Sequence, residues 1–183
     1  MHEWASIYMD FPLIFHDCTV TAQATTAAAP NQQQASLVWV QIDGNKYGVS
    51  VNSMNSSDAY NLCHSFGPDI RLAILDTIPE FTAVTNFLLS DFHYRNSAFW
   101  VSARSAADSH YVWTSNASIE ESFWSSGGEP QGFADCVALA TFSSWISGDS
   151  MLLKTELCNN NRTFALCQVF AAETGKLKHL THF

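Results

Sequence analysis

"LCNNNRTFALCQVF", residues 157–170, decides how this chain is read. Two strand-like runs meet in it: MLLKTELC ends on Cys158, and TFALCQVF carries Cys167 in a Phe-x-x-Cys pattern. The other cysteines are Cys18, Cys63 and Cys136. No C-x-x-C pair occurs and no histidine stands at zinc-finger spacing from a cysteine, so zinc is a poor reading. Buried thiols of a cytosolic protein and a disulfide framework of a secreted one both remain open at this point. The same stretch holds the sequon Asn161-Arg162-Thr163. Asn55-Ser56-Ser57 and Asn116-Ala117-Ser118 are two more, which makes Asn55, Asn116 and Asn161 glycosylation candidates.

Outward from there, the chain has 183 residues, 47% of them hydrophobic, with 13 Phe and 6 Trp. That suits one domain with a packed core and argues against wholesale disorder. The net charge is −9, with 8 Lys plus Arg. A basic nucleic-acid footprint is absent, and an anionic membrane surface would repel such a chain. No apolar run reaches the length of a membrane span, so neither nucleic acid nor membrane insertion is expected.

The reading divides the chain into an N-terminal segment 1–36, a domain 37–170 and a short polar tail 171–183. Residues 19–36 are rich in Thr, Ala and Gln and read as a flexible linker. Ahead of them, Ile7 to Phe15 is apolar but broken by Asp10 and Pro12, and Ala22-Gln23-Ala24 would suit cleavage. Two readings stay open: a degenerate secretory signal, or a mis-started or trimmed N-terminus. Cleavage would remove Cys18 and leave an even number of cysteines.

Inside the domain, LVWVQI and KYGVSV flank Asp43-Gly44 as a hairpin signal. A first helix follows, capped by Ser56 or Ser57, with Ala59, Leu62, Cys63 and Phe66 on one face and Gly67-Pro68 as its stop. RLAIL is a short buried strand. Thr77-Ile78-Pro79-Glu80 is a capping box opening a second helix, with Phe81, Val84 and Leu88 along one face and an end near Asp91. AFWVSA, YVWTS, CVALATF, MLLKTELC and TFALCQVF read as strands, and a long polar stretch runs from Asn116 to Asp135. Two helices before a set of short strands give an α+β order rather than alternating βαβ units.

Together these pieces resemble a C-type lectin-like domain over roughly Trp39 to Val169. The carriers are Cys63 after SSDAYNL, RLAIL, FWVSA at 99–103, Trp113 and Trp124 before the long loop, Glu129-Pro130-Gln131 ahead of DCVAL, and the closing LCNNNRTFALCQ. The resemblance implies two helices flanking short antiparallel sheets with a long loop region, outside the cell. It also implies the bridges Cys63–Cys167 and Cys136–Cys158, and core roles for Trp100, Trp113 and Trp124.

In that family a calcium ion coordinates sugar hydroxyls, held by Glu-Pro-Asn, an acidic residue two before the third cysteine, and Trp-Asn-Asp. Calcium takes six to eight oxygens, several of them carboxylate. Here Glu129, Pro130 and Asp135 are kept, Gln131 replaces the Asn, Ala134 replaces the acidic residue, and Leu153-Lys154-Thr155 replaces Trp-Asn-Asp. A cation therefore stands where a ligand belongs. Calcium binding is not expected. If any metal bound, its ligands would be Glu129, Gln131 and Asp135. Lys154 is expected to pair with Glu129 in the ion's place. Trp145, in the polar turn SSWISGD, is a candidate ligand contact.

No Ser, Cys or Asp stands near His64, His93 or His110 in a catalytic pattern, and His179 and His182 make a poor metal pair, so no enzyme is expected. The functional expectation is a recognition module for a protein or glycan, without cofactor. The alternative is a calcium-dependent carbohydrate lectin using Glu129-Pro130-Gln131. The sequence is silent on oligomeric state.

Overall fold

Asp43 and Gly44 both take positive φ, 47° and 84°, the left-handed geometry that a two-residue hairpin turn requires. They join β1 (Leu37–Ile42) to β2 (Asn45–Ser50). The computed structural model describes residues 36–106, 110–125, 136–146 and 148–170, all within the compact unit Gln33–Phe183. After the hairpin come α1 (Ser56–Ser65), β3 (Ile70–Leu72), α2 (Ile78–Ser90), β4 (Ala98–Ser105) and β5 (Tyr111–Trp113). A single 3-10 turn at Glu121–Phe123, unforeseen inside the long polar stretch, precedes β6 (Cys136–Ser144), β7 (Gly148–Glu156) and β8 (Phe164–Val169).

The strands form one sheet in the order β1-β2-β8-β4-β6-β7, with β3 also on β8 and β5 also on β4. The architecture is α+β. As expected, the named strands pair antiparallel, with one exception. β4 and β8 pair in parallel, Phe99 opposite Phe164, and this pair stitches the two groups of strands together. The reason is topological: after the β6–β7 hairpin the chain returns to run beside β4 in the same direction, as a long connection permits.

Strand alternation then builds two cores. Phe99, Leu139 and Leu166 point to one face, where α2 lays Phe81, Val84 and Leu88 against them. Their neighbours Trp100, Ala138, Ala165 and Cys167 point to the other, where α1 lays Ala59, Leu62 and Cys63. Trp100, Trp113 and Trp124 are all buried. Trp100 donates its Nε1–H to the Met54 carbonyl at 2.8 Å.

Cys63 bonds to Cys167 and Cys136 to Cys158, spanning 104 and 22 residues. In the chain-entropy account, crosslinks of this span stabilise by about 4.7 and 3 kcal/mol. Cys18 lies outside the described residues.

Local capping departs from expectation in three places. Asn55, not Ser56 or Ser57, caps α1: its Oδ1 accepts from the Asp58 N–H at 2.9 Å and its Nδ2 donates to the Asp58 carboxylate at 2.9 Å. Asn is as good a cap as Ser, and here Asp58 answers it. Phe66 closes the helix as its C-cap and is 41% exposed rather than in the core. Its ring meets Trp39 edge-on at 6.0 Å.

The third departure is the capping box. Thr77 accepts from the Glu80 N–H at 3.4 Å, but the Glu80 side chain does not complete the box. Its Oε1 accepts instead from the Tyr47 hydroxyl at 2.5 Å, Gln168 Nε2 at 2.8 Å and Asn45 Nδ2 at 3.5 Å. Gln168 in turn accepts the Ile74 N–H at 2.9 Å. Burial first, then the hydrogen bond and negative charge of Glu80, keep the Tyr47 phenol protonated well above its ordinary range. One carboxylate oxygen thus ties α2 to β2 and β8.

Glu80→Ala strands the Tyr47 and Gln168 donors away from water and should lower unfolding stability by about 2–3 kcal/mol. Glu80→Gln keeps an acceptor oxygen and should cost about 1 kcal/mol. Urea unfolding, with an unchanged slope against denaturant, checks the pair. Equal stability of wild type and alanine variant would show that the donors find other partners.

Candidate functional site

The long loop is anchored at both ends on β7. On its way out, Trp124 bridges Leu153 and the Ser125 N–H donates to the Leu153 carbonyl at 3.0 Å. On its return, Cys136 enters β6 opposite Glu156 and is bonded to Cys158. Lys154 therefore lies between the two anchor points, on the strand segment that the loop brackets. The expected sites Glu129, Gln131 and Asp135 lie on residues 126–135, outside the described residues, as does the expected Glu129–Lys154 pair.

Among the described residues, the partner of Lys154 is Glu156. Residues two apart on a strand share a face, and the Lys154 Nζ donates to Glu156 Oε2 at 2.6 Å. Glu156 also accepts the Leu157 N–H at 3.1 Å. Burial alone would raise the Glu156 carboxyl. The Lys154 hydrogen bond and charge, the Leu157 N–H and the Asn160 side chain outweigh it and hold the carboxyl below its usual value. Among the described residues, no group of three or more His, Cys, Asp or Glu is placed to hold a metal. The three expected donors lie outside the described residues, and of the expected site only the strand segment that the resemblance sets beside them is described. Leu153-Lys154-Thr155 offers an ammonium in place of carboxylates, and the neighbouring Glu156 is already engaged by that ammonium.

Trp145 occupies the turn between β6 and β7, beyond the closing pair Ser144–Gly148. It is 96% exposed and the adjoining Ile146 is 76% exposed. An apolar pair this bare is uncommon on a folded surface unless something covers it. The structure does not bring Trp145 to Lys154. Lys154 lies opposite Ala138, so at strand spacing the two are about 23 Å apart along the hairpin.

Among the sequons, Asn161 is exposed, Asn55 is the α1 cap, and Asn116 sits at positive φ, 66°, where its Oδ1 accepts from Arg104 at 3.1 Å. Glu156 went unnoticed in the sequence. The i, i+2 Lys-x-Glu spacing in KTE was the signal that would have found it.

No family model matches the chain, and no curated protein matches it. Solved structures do. The C-type lectin domain of murine dendritic cell inhibitory receptor 2, in complex with N-glycan, matches with a TM-score of 0.55 at 15% identity, covering 78% of this chain and 98% of that one. The C-type lectin CEL-I from Cucumaria echinata matches with a TM-score of 0.55 at 14% identity, covering 72% and 94%. Ovocleidin-17, a major protein of the Gallus gallus eggshell calcified layer, matches with a TM-score of 0.54 at 18% identity, covering 73% and 96%.

The depressed Glu156 carboxyl fixes a pH dependence. A lowered folded-state value stabilises above the unfolded value, and that stability is lost as pH falls through the folded value. The loss therefore begins below the ordinary value of 4.5 and extends downward. Lys154→Met should remove about 1 kcal/mol or less at neutral pH, the pair being partly open to water. It should also flatten the acid limb of the melting-temperature profile. A profile as steep as wild type would show the pair to be idle.

Proposed function

We propose that this chain, which has the C-type lectin-like fold, is an extracellular, non-catalytic recognition module that engages a protein or glycan ligand without calcium. The Lys154–Glu156 ion pair carries this reading. An ammonium paired at 2.6 Å occupies the strand that both ends of the long loop bracket. A divalent cation placed there would meet a like charge in place of a ligand. Two disulfides support an oxidising compartment. Among the described residues no helix is long and apolar enough to cross a membrane. The glycan complex of one structural neighbour supports glycans among the ligand classes.

Thermal melting and glycan-array binding, each in calcium and then in EDTA, test the metal. Calcium at a hundred times its dissociation constant would stabilise by about 2.7 kcal/mol, a shift of several degrees. The expected result is no shift and binding indifferent to EDTA. A calcium-dependent gain in either would reinstate the calcium lectin built on Glu129-Pro130-Gln131.

Trp145 adds a second contact in this reading. Trp145→Ala removes a large, bare aromatic and should weaken ligand binding by about tenfold or more. Because the ring is almost fully exposed, the melting temperature should stay put. Unchanged affinity would take the hairpin tip out of the binding surface.

A further inference from the structure

A cavity of about 660 Å³ opens between the first turn of α1, strand β4, Thr114 just after β5 and the Cys136–Cys158 bridge. Its volume falls in the range of small-molecule sites. Leu72 and the Cys136–Cys158 bridge give the lining its apolar side chains, and the Ser102 and Thr114 hydroxyls, 2.7 Å apart and bonded to each other, add a polar patch. The exposed ring of Tyr60 forms a wall. The charge is one-sided. Arg104 lines the cavity and, among the described residues, no carboxylate does. The N-terminal residues Ser56 and Ser57 of α1 also border it, but the Asp58 carboxylate, bonded to Asn55, offsets the positive end of that helix, so Arg104 is the group that gives the cavity its anion preference.

We propose that this cavity is a second binding site, for a small amphipathic organic anion: an apolar body lying on Leu72 and the bridge and against Tyr60, with a carboxylate held by Arg104. The chemistry is local. The chain carries a net charge of −9 and repels anions as a whole. In physiological salt that repulsion fades beyond about 8 Å, which leaves the guanidinium as the charge that lines the cavity. The Arg104 Nη2 already donates to the neutral Asn116 Oδ1 at 3.1 Å, which aims the planar fork without cancelling its charge. Asn55 stands at the edge of the cavity, so two of the three sequon asparagines frame this site.

The test is calorimetric titration of the native, disulfide-bonded protein, before and after enzymatic deglycosylation. Three probes of equal chain length serve: dodecanoate, dodecanol and dodecyltrimethylammonium. Dodecanoate is expected to bind saturably, one per chain. Dodecanol and the cation should bind at least about tenfold more weakly, for want of a charge-assisted bond. Arg104→Met should cost dodecanoate about tenfold and leave dodecanol unchanged. Tyr60→Ala should weaken dodecanoate and dodecanol alike. Both side chains are exposed, so each variant should keep the wild-type melting temperature. Equal binding of all three probes, indifference to Arg104→Met, or no saturable binding in either glycosylation state would overturn the proposal.

Discussion

The Cys63–Cys167 bond joins α1 to β8, and almost everything else hangs on that strand. β8 pairs with β2 along one edge and with β3 and then β4 along the other, and its side chains feed both cores. Leu166 faces α2, while Ala165 and Cys167 face α1. Gln168, on the same strand, passes the Ile74 N–H and the Glu80 carboxylate into one hydrogen-bonded chain. A covalent tie at Cys167 therefore fixes the element through which both helices are registered against the sheet. The second bridge is local by comparison: it closes the β6–β7 hairpin onto the segment leading to β8.

Much of this was legible because the signals were chemical rather than statistical. Asp43-Gly44 is a turn by its backbone tolerance, and it is where the chain turns. The core residues of α2 follow from a 3.6-residue period. The three core tryptophans came from the resemblance and not from any pattern of their own. The errors came where several neighbours competed for one group. Asn55 took the cap from two adjacent serines because Asp58 could reciprocate. Glu80 abandoned its box because Tyr47, Asn45 and Gln168, distant in sequence, converge on it. The parallel β4–β8 pair leaves no local trace, since it depends on where the chain returns rather than on either strand alone.

The candidate site was legible in part for the same reason. A lysine in the place of metal ligands could be read from residue types. Its partner could not, because the strand register that puts Lys154 and Glu156 on one face is a property of the folded sheet. Trp145 was visible as an aromatic in a polar turn, but its separation from Lys154 appears only when the nine-residue strands β6 and β7 are paired end to end. The α1 cavity had no sequence signature at all. It is assembled from two helix-start residues, the consecutive β4 positions 101–104 and the side of a disulfide.

The central place of β8 also governs the order of assembly. It is the last of the eight strands to leave the ribosome, yet it lies in the middle of the sheet. The β1–β2 and β6–β7 hairpins can zip up as soon as each is synthesised, but they have nothing to join them until residues 164–169 emerge. Until then β2 and β4 each present a bare flank, and nascent chains of this kind are prone to mispairing. Such a protein leans on chaperones and on disulfide exchange late in its biogenesis. A truncation that removed only the final strand would harm it far more than the few residues lost would imply.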